Sequence, residues 1–250
     1  MSKKRRKVGV YGLGRFGTFW GSLLATQMEV VGASRSWKEK LPDSISQVRV
    51  EELAEAEAVF LCVAISAMDE SCRRLSTILP PTVPILDTCS VKVHPAAVME
   101  RHFPGQQPLI ATHPMFGPDS GRDGVHGFPI ITYPVRDAGG VYREWLESFR
   151  GLGLKIIEMS PEEHDREAAY TQGITHFIGR VLSRLELPHS PIATLGYRKI
   201  QEVIEQTCND PYQLFLDLQH YNPYTSSMRG ELSEALDETL RELISLRPRR

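Results

Sequence analysis

Lys7-Val8-Gly9-Val10-Tyr11-Gly12-Leu13-Gly14-Arg15-Phe16-Gly17 is the stretch that decides the fold. Its first five residues make an apolar strand. Gly12, Gly14 and Gly17 then fall at the spacing G-x-G-x-x-G, ahead of a helix predicted over 18–28. In such a motif the glycines allow, in turn, a tight turn, close approach of a pyrophosphate, and close packing of helix on sheet. The helix N-terminus behind the turn offers backbone N–H groups to phosphate oxygens. A glycine triplet alone is a weak signal, and a tight turn without a nucleotide is the competing reading. Its place between a strand and a helix, at the start of an alternating pattern, favours the nucleotide.

Outward from this turn, strand signals at 29–33, 58–64, 83–87, 109–112, 128–133 and 154–159 alternate with helical ones at 51–57, 68–78 and 141–150. The nearly unbroken apolar run 58–64 is what a strand buried on both faces of a parallel sheet requires. Repeated βα units predict an α/β protein whose residues 1–160 form a Rossmann doubly wound sheet. After Ser160-Pro161 only helical spacing remains. Ile174, Phe177, Ile178, Val181, Leu182 and Leu185 make one apolar stripe, Pro188 and Pro191 end it, and helices are expected over 194–207, 211–221 and 226–246. A segment of about 90 residues cannot wrap all these faces internally, so 161–250 is expected to be an all-α substrate and dimerisation domain that pairs with a second copy.

With 41% hydrophobic and 24% charged residues in 250, the chain can bury a substantial core. Its 29 Lys and Arg against 31 Asp and Glu leave a formal net charge of −2, so no global field favours nucleic acid or an anionic membrane. Cys62, Cys72, Cys89 and Cys208 lack metal-ligand spacing, and three lie in or beside apolar stretches. Buried thiols in a reducing, cytoplasmic compartment are expected, with no metal. No run approaches the roughly 18 apolar residues of a membrane span, and no secretory leader is evident. The basic opening Lys3-Lys4-Arg5-Arg6-Lys7 runs straight into the first strand and reads as a solvated N-terminus rather than a targeting patch.

The second strand bears on which nucleotide binds. An NAD site usually carries an acid about 20 residues after the glycines, to bind the ribose 2′-hydroxyl. Here Ser34-Arg35-Ser36 stands instead, with no acid before Glu39. An arginine and two hydroxyls suit a 2′-phosphate, which a carboxylate would repel. NADP is the expected cofactor, bound by Gly12, Gly14, Arg15, Phe16, Gly17, Ser34, Arg35, Ser36 and Lys92.

Leu109-Ile110-Ala111-Thr112 is a short strand, and the prolines and glycine of His113-Pro114-Met115-Phe116-Gly117-Pro118 make the next residues a rigid loop. Ligands of open α/β sheets bind beyond the carboxyl ends of the strands, so His113 is expected to project into that crevice. Histidine is the side chain best suited to moving protons near neutrality; a packed loop histidine is the alternative. Asp87-Thr88-Cys89-Ser90-Val91-Lys92 ends another strand on the same edge. Ser90 could exchange a hydrogen bond with an imidazole or cap a helix, and Lys92 could attract a carboxylate.

These motifs, with Thr175-His176, resemble the prephenate/arogenate dehydrogenases of tyrosine biosynthesis. Glu158-Met159-Ser160, His164-Asp165, Gly179-Arg180-Val181-Leu182, Gly196-Tyr197 and Tyr221-Asn222-Pro223 extend the similarity to the plant-type branch and to nearly the whole chain. The resemblance implies an oxidative decarboxylation. His113 would accept the proton of the C4 hydroxyl while C4 gives up hydride, and Ser90 would orient His113 and the nicotinamide. Gln172, Thr175 and His176 would contact substrate from one helix, and Ser120, Gly121 and Arg122 from the loop after His113. Many bacterial members carry an arginine for the side-chain carboxylate in the segment matching 205–210, whereas Glu205-Gln206-Thr207-Cys208-Asn209-Asp210 has none. Arg122, Lys92, Arg198 and Lys199 are then the candidates. An acid at the position of Asp210 goes, in the plant-type branch, with arogenate, whose amino group is cationic; Asp210 with Pro211 could also cap the following helix. NADP-dependent arogenate dehydrogenation is the expected activity, with prephenate as the alternative substrate.

Two other classes fit less well. β-Hydroxyacid dehydrogenases share the layout but use a helix lysine, and none lies between Gln172 and His176. An NADP-sensing regulator would keep the glycine turn without needing Ser90, His113 and His176 together.

Overall fold

The computed structural model describes residues 5–103 and 105–245. Lys3 and Lys4 of the basic opening and the expected helix end at 246 lie outside them. The chain divides into two compact units, Met1–His164 and Asp165–Arg250.

The first unit is built on one eight-stranded sheet. Its strands are β1 (Lys7–Tyr11), β2 (Glu29–Ala33), β3 (Ile45–Gln47), β4 (Val59–Leu61), β5 (Ile85–Asp87), β6 (Leu109–Pro114), β7 (Pro129–Arg136) and β8 (Lys155–Glu158). They lie in the order β3-β2-β1-β4-β5-β6-β7-β8. The strands from β3 to β6 run parallel, β7 runs antiparallel to β6, and β8 is parallel to β7. No helix separates β6 from β7, and antiparallel neighbours need no crossover. The strand order reverses between β1 and β4, which opens the ligand crevice at their carboxyl ends.

Four helices serve this sheet: α1 (Arg15–Leu24), α2 (Met68–Leu75), α3 (Val93–His102) and α4 (Val141–Gly151). Trp20 of α1 packs its ring 5.8 Å from Phe60 of β4, which meets Trp145 of α4 edge-on at 5.1 Å. Burying such rings removes large apolar areas from water and fixes their relative angles. Two elements carry too little pattern to be read from sequence. β3 is three residues long, and α3 carries Pro95 in its first turn, where a proline is tolerated. The expected helix at 51–57 is a 3₁₀ segment, Val50–Glu55.

The second unit is helical. The helix α5 (Pro161–Ala168), whose residues up to His164 belong to the first unit, runs through a π-helical turn, Ala169–Gly173, into α6 (Ile174–Ser183). α7 (Leu195–Asn209), α8 (Tyr212–Tyr221) and α9 (Thr225–Ser245) follow. Gly179 of α6 lies so close to α7 that a Cβ there would run into the Thr207 side chain. On α6 the buried residues are therefore His176 and Gly179, while Val181 and Leu185 of the apolar stripe are exposed. Leu236, Leu240, Leu243 and Ile244 are exposed along α9. Among the described residues no helix is long and apolar enough to cross a membrane.

Candidate active site

The glycine turn has the shape that a dinucleotide needs. Gly12 sits at φ +105°, and a Cβ there would strike the Cys62 carbonyl. A Cβ at Gly17 would strike the Gly12 carbonyl, so α1 can approach the turn only with glycine at 17. Above Gly14 there is open space, and Gly14 is the N-cap of α1 with no side chain to cap the first turn. Those N–H groups face the place where a phosphate would fit. Burial pushes the Cys62 thiol beneath the turn up to about 12, so it is not a thiolate at neutral pH.

Other residues expected at the cofactor divide. Arg15 pairs with Asp119 at the surface. The Phe16 ring stacks on Trp20 at 6.1 Å and, partly buried, packs against the core. Ser34 donates to the Ser36 carbonyl at 2.6 Å and so shapes the turn after β2, with Arg35 exposed beside it. Lys92 departs most from expectation. Its ammonium is buried, ion-paired with Asp87, and donates to the Thr112 carbonyl at 2.6 Å. It is a strut between β5 and β6 rather than an open hook for cofactor or substrate.

That strut explains how His113 is held. Asp87 accepts hydrogen bonds from the backbone N–H groups of Cys89 (3.0 Å) and Thr112 (3.1 Å), and the Thr112 hydroxyl donates to the Asp87 carbonyl. Thr112 is thus fixed at three backbone and side-chain atoms just before His113. β6 also continues to Pro114, pairing His113 with Ile131, so the histidine is the last but one residue of a strand rather than a loop residue. The antiparallel partner β7 extends the strand, and Pro114 at its end needs no ladder N–H.

His113 is buried, and its Nδ1 lies 2.8 Å from Nε2 of His164, which is buried too. One of these nitrogens must donate. If His113 is to accept a proton at Nε2, its own proton sits on Nδ1 and points at His164, so His164 sets the tautomer. Burial, then the neighbouring His164 ring and Lys92, hold the His113 imidazole well below the usual histidine range. It is therefore a neutral base at neutral pH. Ser90 does not bond to it. Among the described residues the buried Ser90 hydroxyl has no hydrogen-bond partner, and such a group is usually satisfied by a ligand or water. No local signal points to His164 as the partner, since it lies 51 residues from His113.

In the loop after β6, Ser120 accepts from the Gly117 N–H at 3.0 Å, Gly121 abuts Phe19, and exposed Arg122 pairs with Asp123 at 3.4 Å. Nothing in this loop forms a prepared carboxylate site.

In the second unit, Thr175 returns its hydroxyl to the Thr171 carbonyl at 2.8 Å, which occupies its donor. Gln172 lies in the π turn and His176 one turn further on. Asp210 is the C-cap of α7, and Pro211, not Asp210, caps α8. The Asp210 carboxylate stands 3.9 Å from His176 Nε2, and its carbonyl accepts from Arg180 at 2.7 Å. Burial holds the His176 ring below its ordinary range; Asp210 acts against this and Arg180 with it. Arg180 is not among the expected site residues, although it stands four residues beyond His176, on the same helix face.

A reversed-order sheet with a glycine turn at its switch point, and a neutral buried histidine on the same sheet edge, define a nucleotide-binding dehydrogenase domain. Comparison with known proteins narrows the class. The profile of the prephenate dehydrogenase nucleotide-binding domain matches residues 26–127, and that of the TYRAAT1-like C-terminal domain matches 181–247. Arogenate dehydrogenase 2, chloroplastic, of Arabidopsis thaliana is 32% identical over 255 residues, an alignment spanning 95% of this chain and 70% of that protein. Arogenate dehydrogenase 1, chloroplastic, of the same plant is also 32% identical, but the match spans 88% of this chain and only 36% of its relative. A crystal structure of prephenate dehydrogenase from A. aeolicus, in complex with hydroxyphenyl propionate and NAD+, superposes with a TM-score of 0.74 at 19% identity, covering 98% of this chain and 92% of that one. Synechocystis arogenate dehydrogenase superposes at 0.68 with 22% identity, covering 96% and 92%. The chain belongs to the prephenate/arogenate dehydrogenase family.

Proposed function

We propose that this protein oxidatively decarboxylates arogenate to tyrosine with NADP as hydride acceptor. The observation that carries the reading is the buried, neutral His113, held by His164 on the same sheet edge as the glycine turn and the unpartnered Ser90 hydroxyl. A bound nicotinamide supplies the acceptor for the hydride that leaves C4. As the hydride departs, Nε2 of His113 takes the C4 hydroxyl proton and the C4–O bond becomes a carbonyl. The bond from C1 to its carboxylate then breaks, and its electron pair moves through the ring to the C4 oxygen. His113 returns the proton to that oxygen, so a phenol and carbon dioxide leave and no net proton is released. In this reading the Ser90 hydroxyl donates to an oxygen of the reacting pair, and burial of His113 and Ser90 strengthens both hydrogen bonds.

NADP is supported by exposed Arg35 between two serines at the end of β2, where no carboxylate intervenes. Arogenate is supported by the Asp210 carboxylate in the second unit, which suits a cationic amino group. Prephenate carries a ketone there and gains nothing from an anion. Steady-state rates for arogenate and prephenate, each with NADP and NAD, test the reading, with absorbance at 340 nm as the signal. Arogenate with NADP is expected to give the highest kcat/KM; turnover of prephenate alone, or of neither, overturns it. Asp210→Asn is expected to lower the arogenate-to-prephenate ratio about tenfold or more. An unchanged ratio removes Asp210 from the argument.

The same reading makes a second copy of the chain the partner of the helical unit, supported by exposed Val181 and Leu185 and by the exposed apolar residues of α9. Light scattering is expected to give twice the chain mass, and a monomer would refute this. A reducing compartment such as the cytoplasm suits the four free thiols.

A further inference from the structure

Six buried side-chain polar atoms lack a hydrogen-bond partner among the described residues, and three of them lie on one helical stripe: Gln172 Oε1, His176 Nδ1 and Arg180 Nε. Successive members are four residues apart, which places them on one face. Buried polar groups are nearly always satisfied, so three orphans in register point to a ligand rather than to three separate accidents. The π-helical turn beneath Gln172 is a second sign, because a turn of this kind weakens a helix and is usually kept where function needs it.

Arg180 is the charged member. Its Nη2 donates to the Asp210 carbonyl at 2.7 Å, and its guanidinium carbon lies 5.3 Å from the Tyr212 ring and 5.9 Å from that of Phe215. One carbonyl and two aromatic faces therefore fix the plane of the guanidinium. Among the described residues no carboxylate oxygen reaches ion-pair distance of it, and its Nε–H edge is unused. A part-buried cation held this firmly without an anion is costly unless a ligand supplies one. A guanidinium edge matches a carboxylate in two parallel hydrogen bonds.

We propose that Arg180, with Gln172 and His176 beside it, forms the subsite for the side-chain carboxylate of an amino-acid ligand. The proposal rests on the amino-acid reading given above and adds to it. Asp210 takes the α-ammonium and Arg180 the α-carboxylate, so α6 and the end of α7 together read a zwitterion. This also accounts for the segment 205–210 having no arginine: the positive charge comes from the facing helix, four residues beyond His176.

The experiment separates this subsite from the activity. Calorimetric binding of tyrosine is compared with that of tyramine, which has the ammonium and phenol but no carboxylate. Wild-type protein is expected to prefer tyrosine by about 10- to 100-fold, the range of a charge-assisted hydrogen bond. In Arg180→Gln the preference is expected to fall to within about threefold, with KM for arogenate and prephenate rising together because both carry this carboxylate. Arg180→Lys should restore part of the preference, since it keeps the charge without the fork. A variant that melts lower but still prefers tyrosine overturns the proposal, leaving Arg180 as a strut under α8. If Arg180→Gln fails to fold, the wild-type and Arg180→Lys preferences decide, and equal binding of tyrosine and tyramine by wild type overturns it. Failure to oxidise arogenate, with the tyrosine preference intact, refutes the activity and not the subsite.

Discussion

His113→Asn is expected to lower kcat by about 10²- to 10⁴-fold, the usual share of a positioned general base, while NADP binding stays within about twofold. The two effects separate because His113 lies near the end of β6, whereas the phosphate cradle is made by the turn after β1. Asparagine is the informative replacement. Its amide N–H can stand where Nδ1–H stood and still donate to Nε2 of His164, 2.8 Å away in the parent. The buried neighbour is then not orphaned, and loss of rate reports the missing acceptor rather than a collapsed site. The pH profile gives an independent reading. Burial, with His164 and Lys92 nearby, depresses the His113 ring well below the usual histidine range. The proton-accepting form is therefore already complete at neutrality. Plotted against pH, log kcat/KM should be flat through pH 7 and fall only on the acid side of the ordinary histidine value of about 6.5. In His113→Asn that acid limb should vanish. A limb centred at or above 6.5 in wild type, or near-normal turnover by the variant, would assign the base elsewhere. Removing the acceptor with His164→Phe should lower kcat without moving KM, because in this reading it acts only through His113. A rise in KM alone would deny His164 its part in setting the tautomer.

The glycine turn, the parallel strands and the helical C-terminal unit are legible in the sequence because each rests on local pattern: a fixed glycine spacing, continuous apolar runs, and helical periodicity. What stays hidden depends on residues far apart in the chain. The reversal of β7 against β6 follows from the lack of a helix between them, and proline and glycine signals there read only as a loop. Extension of β6 through His113 follows from pairing with Ile131, which no window around His113 contains. Lys92 reads as an open cation because a sequence does not show that the Asp87 carboxylate and the Thr112 carbonyl enclose it. Arg180 stands in plain view at helical spacing from His176. Its importance emerges only when Asp210 and the α8 rings are seen to hold it without an anion. The apolar residues of α6 do form a stripe, but Gly179 turns the opposite side of the helix against Thr207. Periodicity locates a face without saying what covers it.

Lys92→Met is expected to destabilise the protein by about 3–5 kcal/mol, the loss typical of breaking a buried ion pair from one side. For a chain of this size that is a fall in Tm of about 6–20 °C. The reason is Asp87, which is wholly buried and keeps only two backbone N–H donors once the ammonium is gone. Burial already pushes its carboxyl up, and Lys92 with those two N–H groups opposes the rise. Without Lys92 the native carboxyl takes up a proton that the unfolded chain, titrating near about 3.9, releases. Between these two values the native state binds more protons than the unfolded one, so stability must fall as pH rises. The variant's deficit should therefore be larger at pH 8 than at pH 5, which thermal melts at the two values will show. The double variant Asp87→Asn with Lys92→Met removes both charges and should recover much of the loss, since the penalty lies in the uncompensated carboxylate and not in the missing attraction. The Thr112 N–H keeps an acceptor in that variant, and His113 keeps its place in β6. If the double variant is no more stable than Lys92→Met, or if the single deficit does not grow with pH, the pair does not anchor β6 as its geometry implies. Recovered stability together with recovered turnover would tie the buried pair to the alignment of His113, the one residue that the Thr112 clamp directly precedes.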